Sequence, residues 1–241
     1  MSEFSVIIPT LQRSDELHPL VEQCAAHPLV LEVLVINNAP APLHWASPKV
    51  RVLQQAENIY VNPAWNLGAR EARGKYLAIL NDDIDMQDGV FDYVAKVLRR
   101  GVFGIMGPDP SCFTGSPDGR ISHRPAPTQR RFFGTAMFLR RGAYSPIPED
   151  MLIWGGDDWL INSSPMPPAV LIGARFKTDM STTTRSPEFQ RLWERNWEVS
   201  RRRLGRMLPE GIGRGDVPVR WWHPLRRPYL IAQRARGALR R

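Results

Sequence analysis

Over its first 110 residues the chain alternates between short unbroken apolar runs and longer stretches whose apolar positions recur at helical spacing. Residues 6–9, 31–36, 50–53, 76–80 and 102–106 read as strands, because a strand covered on both faces shows a continuous apolar run. Behind Ser14, the positions Leu17, Leu20, Val21 and Cys24 predict a helix capped by that serine. Residues 63–73 predict a second helix, with Pro63 in its first turn and Gly74 as its stop; residues 90–100 predict a third. This order implies an α/β fold, a Rossmann-like, mostly parallel sheet flanked by helices.

The pattern changes after residue 107. Residues 108–131 are rich in Pro, Ser, Gly and Arg and predict one long loop, which in a compact domain usually carries function. Residues 132–139 and 169–176 predict strands. Residues 154–162 hold a glycine pair, two aspartates and a short helix, and residues 187–203 predict an amphipathic helix capped by Ser186. No repeat or low-complexity linker intervenes. The simplest division is a domain over residues 1–200 and a basic, Arg/Trp-rich extension over 201–241.

Composition narrows the class. A chain of 241 residues with 43% apolar content can build one sizeable core. No run approaches the length of a membrane span, so no transmembrane segment is expected. Residues 4–9 are too short for a signal sequence and lack a basic flank. Cys24 and Cys112 form neither a disulfide framework nor a metal-ligand spacing, and Cys24 reads as core. Together these features imply a cytoplasmic location. Residues 201–241 carry twelve arginines against Glu210 and Asp216, a net +10, while the remaining residues are net −2. Such asymmetry points to a polyanion such as nucleic acid, or to an anionic membrane surface.

Candidate chemistry begins directly after the strand at 76–80, with Asn81, Asp82, Asp83 and Asp85. Ligands of open α/β sheets sit beyond the carboxyl ends of the strands. Two adjacent carboxylates there suit a hard cation, Mn²⁺ or Mg²⁺, sharing oxygen ligands with a diphosphate. Taken alone, the same aspartates would serve equally well as a turn and cap for a helix near Gln87.

Their neighbours add to this. In order, the chain shows Val6-Ile7-Ile8-Pro9-Thr10, Val35-Ile36-Asn37-Asn38, Asn58 with Asn66-Leu67-Gly68-Ala69, and Gly74-Lys75-Tyr76. It continues with Leu80-Asn81-Asp82-Asp83, Phe133-Gly134-Thr135-Ala136 running to Arg140-Arg141, and Trp154-Gly155-Gly156-Asp157-Asp158. This series, over about residues 4–160, resembles the family-2 glycosyltransferases of the GT-A fold. The resemblance implies a nucleotide-diphosphate sugar as donor and a metal held at Asp83, with Asp82 at the middle position of the turn. Asn81 stands where the family usually has a first aspartate. Pro9, Thr10, Arg13, Asn37, Asn38 and Asn66 fall where the family contacts the nucleotide, although both asparagines of the second strand replace a common aspartate. Trp65 replaces a common arginine and reads as core. Asp158 falls at the general-base position, with Asp157 beside it in place of a common glutamate; the alternative is that both cap a helix starting at Trp159. A third metal ligand, often histidine in the family, has Asp179 or His223 as substitutes.

The acceptor is read from charge. Arg124, Arg130 and Arg131 crowd the long loop, Trp154 opens the presumed base segment, and Arg220, Trp221 and Trp222 interleave cation and indole in the extension. That mixture suits phosphate contacts with base stacking. It also suits an interfacial anchor. Three readings follow: inverting transfer of a hexose to a polyanion, foremost a hydroxymethylated pyrimidine in DNA; transfer to a lipid-linked or cell-surface glycan at the inner membrane leaflet; and a non-catalytic nucleotide-sugar or nucleic-acid binding module.

Overall fold

The apolar runs form the centre of an eight-stranded sheet in the computed structural model, which describes residues 3–114, 120–126, 131–178 and 187–205. In chain order the elements are β1 (Phe4–Thr10), α1 (Leu17–Ala26), β2 (Val30–Asn37), β3 (Val50–Gln54), α2 (Val61–Glu71), β4 (Tyr76–Leu80), β5 (Ile84–Met86) and α3 (Val90–Arg99). There follow β6 (Ile105–Pro108), β7 (Ser122–Pro125), β8 (Ala136–Arg140), α4 (Gly156–Ser163), β9 (Pro168–Ile172), β10 (Phe176–Thr178) and α5 (Pro187–Gly205). The sheet runs β3-β2-β1-β4-β8-β6-β9-β7, and β5 pairs with β10 in a separate ribbon. The first four strands are parallel, whereas β8 lies antiparallel between β4 and β6, and β7 forms an antiparallel edge beside β9.

Successive residues of one strand enter opposite faces. Phe4, Val6 and Ile8 join one core with Leu20, Val21 and Cys24 of α1 and Val94 and Leu98 of α3. Ile7 joins a second core with Ala64 and Trp65 of α2 and Leu160 of α4. Both faces are covered, which is why the strands read as continuous apolar runs. At the opposite edge from the candidate chemistry, the fully buried Glu32 carboxylate accepts from Ser5 Oγ at 2.7 Å, the Arg73 backbone N–H at 2.7 Å and the Arg51 guanidinium at 3.2 Å. Burial alone would raise its carboxyl, but these hydrogen bonds outweigh it and hold Glu32 below the ordinary carboxylate range.

Several elements depart from the pattern. The stretch 108–131 is not one loop: it contains a 3-10 turn at Pro110–Cys112 and the polar edge strand β7. The run at 169–176 breaks into β9 and β10 at Gly173, whose φ is +74°. Ile84–Met86 forms β5, so α3 starts at Val90 and not near Gln87. The strand predicted from residue 102 begins at Ile105, since Val102 is exposed. Phe133–Thr135 is a 3-10 turn ahead of β8. Ser14 accepts the Glu16 N–H at 3.1 Å, one turn before α1, while Glu16 takes the cap position. α2 starts at Val61 and ends at Glu71, where Ala72 turns extended before Gly74 is reached. α5 continues past residue 200 and buries Leu204 in the second core. Both cysteines are buried and free. Among the described residues no helix is long and apolar enough to cross a membrane.

Candidate active site

The acidic turn sits where β4 ends. Its register with β8 pairs Leu80 with Ala136, and the Asn81 N–H donates to Thr135 O at 2.9 Å. Thr10, at the end of β1, donates to Asp82 Oδ2 at 2.6 Å. Burial raises the Asp82 carboxyl above its ordinary range; the Thr10 hydroxyl works against that and the neighbouring Asp83 charge adds to it. Asp83 is half-buried and accepts from Thr178 Oγ1 of β10 at 3.1 Å. Asp85 stands apart on β5, ion-paired with Arg175.

The strand ends beside this turn are shaped by side-chain amides. Gln12 has φ +57°; its N–H donates to Thr10 Oγ1 at 2.8 Å and its side chain to Asn37 Oδ1 at 3.0 Å. Asn37 is fully buried, and its amide group also donates to Ala41 O and Gln54 Oε1, each at 2.7 Å. It builds the loop after β2 and has no amide hydrogen left for a ligand. Asn38 accepts from the Ile59 N–H at 3.2 Å. Asn66 is likewise occupied: Tyr144 Oη and the Ile147 N–H donate to its Oδ1 at 2.8 and 2.9 Å, and its Nδ2 donates to Ile147 O at 2.8 Å. Asn37 and Asn66, read from the sequence as contacts to the nucleotide, thus also brace the segments around them. Pro9 lies in the β1–β2 ladder, Arg13 is exposed just beyond it, and Trp65 is buried. Gln12, Tyr60 and Phe132 are the non-glycine residues with left-handed backbone among those described, and all three lie on loops along this edge. Such strain collects where function over-determines the conformation.

The second acidic pair is built by glycine. Gly155, with φ +76°, is the residue ahead of α4. A Cβ on Gly156 would lie 2.0 Å from Asn62 Oδ1 and 2.9 Å from the Trp65 ring, so only glycine lets α4 begin against α2. Asp157 and Asp158 therefore stand inside the first turn of α4, not ahead of a helix starting at Trp159. Asp158 is 6% exposed, and its Oδ1 finds no hydrogen-bond partner among the described residues. Burial, and then the adjacent Asp157, push its carboxyl well above the ordinary range. Asp157 lies against Gly134, where an added Cβ would stand 3.1 Å from its Oδ2. The turn Phe133–Thr135 thus touches both acidic pairs, through Asn81 on one side and Asp157 on the other.

Among the described residues, no three His, Cys, Asp or Glu side chains converge to hold a metal. The donor set still suits a hard cation, since Asp82 and Asp83 offer carboxylate oxygens and a diphosphate would supply the rest. Asp179, the substitute ligand read from the sequence, lies outside the described residues, as do Arg130, Arg220, Trp221 and Trp222. Arg124, expected on the acceptor side, ion-pairs with Asp109 at 2.6 Å. Arg131 is exposed and lies 4.8 Å from the Phe132 ring centre, and Phe132 stacks on Phe113 at 4.5 Å. Trp154 is half-buried, its carbonyl accepting from Ser200 Oγ at 2.7 Å. Sequence reasoning missed Gln12, Thr178, Asn62 and Ser200, none of which belongs to a motif.

Known proteins share this fold. The fold matches TarS of Staphylococcus aureus, with a TM-score of 0.54 and 15% identity over 74% of this chain and 37% of that one. It also matches GalNAc-T7, solved with UDP, GalNAc and Mn²⁺, with a TM-score of 0.55 and 14% identity over 88% of this chain and 52% of that one. TarS 1-349 has itself been solved in complex with UDP. In sequence, the chain is 30% identical over 132 residues to the uncharacterized protein y4gI of Sinorhizobium fredii, covering 49% of this chain and 14% of that relative. The chain therefore spans well under two thirds of these relatives. The sequence profile named Glycosyl transferase family 2 matches residues 5–147, more than half of the chain and all of the first acidic turn. With its GT-A sheet and that match, the chain belongs to glycosyl transferase family 2.

Proposed function

We propose that the chain is an inverting glycosyltransferase that moves a hexose from a nucleotide-diphosphate sugar to a hydroxyl on a polyanionic acceptor. The observation that carries this reading is the contrast of two acidic pairs across one short turn. Asp82 and Asp83 are half-buried and accept from the Thr10 and Thr178 hydroxyls, whereas Asp158 is enclosed, 6% exposed, with Asp157 beside it. Mn²⁺ or Mg²⁺, bound at Asp83 with Asp82 beside it, would supply Lewis-acid stabilisation of the departing diphosphate. Asn81 and Thr10 orient the turn. Asp158 takes the acceptor hydroxyl's proton as that oxygen bonds to the anomeric carbon. The bond from that carbon to the diphosphate oxygen breaks on the opposite face, and the nucleoside diphosphate leaves as an anion. A carboxyl raised above its ordinary range by burial is a stronger proton acceptor, which suits this work. UDP is the probe of choice for the nucleotide, as the ligand in the solved structures of TarS 1-349 and GalNAc-T7. Asp83→Ala should remove Mn²⁺-dependent UDP binding in calorimetry without lowering the melting temperature; unchanged affinity would refute the metal assignment.

For the acceptor, exposed Arg131 beside the site and the arginines of the C-terminal extension favour DNA, with a hydroxymethylated pyrimidine as the leading substrate. A lipid-linked or cell-surface glycan is the second reading, supported by the tryptophans Trp221 and Trp222 among those arginines. The chain would then work in the cytoplasm, or at the inner membrane face. With about four or five neutralised phosphates, duplex affinity should fall about a hundredfold or more between 50 and 200 mM salt. Truncation after Gly205, which spares α5, should flatten that slope while leaving UDP binding intact. Flotation with anionic liposomes and no measurable duplex binding would replace DNA with the glycan.

A further inference from the structure

We infer that Asn196 and Ser200 of α5 are positioning residues for the segment that presents Asp158. This rests on the reading of Asp158 as the base. The backbone from residue 151 to residue 154 lies between α2 and α5, and side chains from both helices hold it. Asn196, 3% exposed, accepts the Leu152 and Ile153 N–H groups on one Oδ1 at 2.8 and 3.1 Å. Ser200, fully buried, donates to Trp154 O at 2.7 Å. From the other side Asn62 donates its backbone N–H to Leu152 O and its Nδ2 to Met151 O, both at 2.9 Å.

α5 continues this contact in both directions. Arg203 holds the Asp150 carboxylate through Nε at 3.1 Å and Nη2 at 2.8 Å. A Cβ on Gly155 would meet Ser200 at 3.1 Å and Leu204 at 3.2 Å. Positions 196, 200, 203 and 204 share one helical face, so a single stripe of α5 follows the chain from Asp150 to Gly155. Asp158 comes three residues later, and among the described residues no partner fixes its Oδ1. Its place is therefore set by where α4 starts, and α4 starts where α5 and α2 hold the preceding backbone. Misplacement by about 1 Å can cost about a hundredfold in rate.

The test uses the full chain, Mn²⁺ and UDP-glucose, reading UDP release, together with amide hydrogen exchange. Asn196→Ala should speed exchange at Leu152 and Ile153. It should lower kcat about 10- to 100-fold and leave Mn²⁺-dependent UDP affinity within about twofold. Asn196→Asp keeps an oxygen to accept both N–H groups and should restore both readouts. Ser200→Ala, a milder change, should lower kcat about three- to tenfold if Asn196→Ala fails to fold. A folded Asn196→Ala protein with wild-type kcat overturns the inference, even if exchange quickens. So does a loss of UDP affinity that matches the loss of kcat, which would make α5 a general support. Asp158→Asn serves as the control. If it turns over like wild type, the base reading falls and this inference with it; if it is inactive while Asn196→Ala is not, only this inference falls.

Discussion

Two carboxylates are enclosed at opposite ends of the same sheet, and they are treated in opposite ways. Glu32 is fully buried and accepts hydrogen bonds from Ser5, Arg51 and Arg73. Asp158 is almost as deeply buried, has Asp157 for a neighbour and leaves Oδ1 without a partner among the described residues. Hydrogen bonds hold the first carboxyl below its ordinary range, whereas burial and like charge push the second far above it. A buried charge whose hydrogen bonds are all met is tolerated in a fold, and removing one of its partners is what destabilises it. One that is left short is costly, and it persists where a proton has to be moved.

The largest effect should come from breaking the costly end. Asp158→Asn keeps the shape but accepts no proton at neutral pH, so transfer should fall about 10²–10⁴-fold while UDP affinity holds. Rates within a few-fold of wild type would make Asp158 a first-turn helix residue and nothing more.

A smaller effect sharpens the comparison, because the two ends should answer pH with opposite signs. The raised Asp158 carboxyl stabilises the native state below the unfolded carboxylate value, and that contribution is lost as pH rises through the folded value. The lowered Glu32 carboxyl contributes above the unfolded value and loses its contribution as pH falls through the folded one. At neutral pH, Glu32→Gln should therefore cost about 1.5–3 kcal/mol, the scale of hydrogen bonds to a charged group, and Asp158→Asn should raise stability. Urea midpoints between pH 4 and 8 measure both. If Asp158→Asn is destabilising at every pH, the strain assigned to that end is absent.

Much of the fold was legible because of how the sheet is covered. Residues 76–80 became β4 without adjustment, since a strand enclosed on both faces leaves an unbroken apolar run. β7, with the sequence Ser-His-Arg-Pro, lies at an open edge and carries no such signature. β5 was hidden because it has only three residues and its central Asp85 was read with the acidic turn. At the site, motif order located the two acidic pairs, but motifs name residues and not the direction of their amides. Asn37 and Asn66 fell at expected ligand positions, and no motif announces that their amides also bond Gln12, Ala41, Gln54, Tyr144 and Ile147. Thr178 reaches Asp83 across 95 positions, and Asn196 reaches Leu152 across 44; pairings at such separations leave no local pattern.

The grip of α5 on the segment before α4 also bears on synthesis. A chain emerging from the ribosome can assemble β1 to β4 and their helices while its later half is still being made, since those strands pair with one another. The backbone at Leu152 and Ile153 gains its Asn196 partner only after the following forty-odd residues have been translated. A ribosome-bound intermediate would thus carry paired β1–β4 strands long before the backbone ahead of α4 is in register. A stop or frameshift shortly before residue 196 would leave the Leu152 and Ile153 N–H groups without their Asn196 partner and the second core without Leu204.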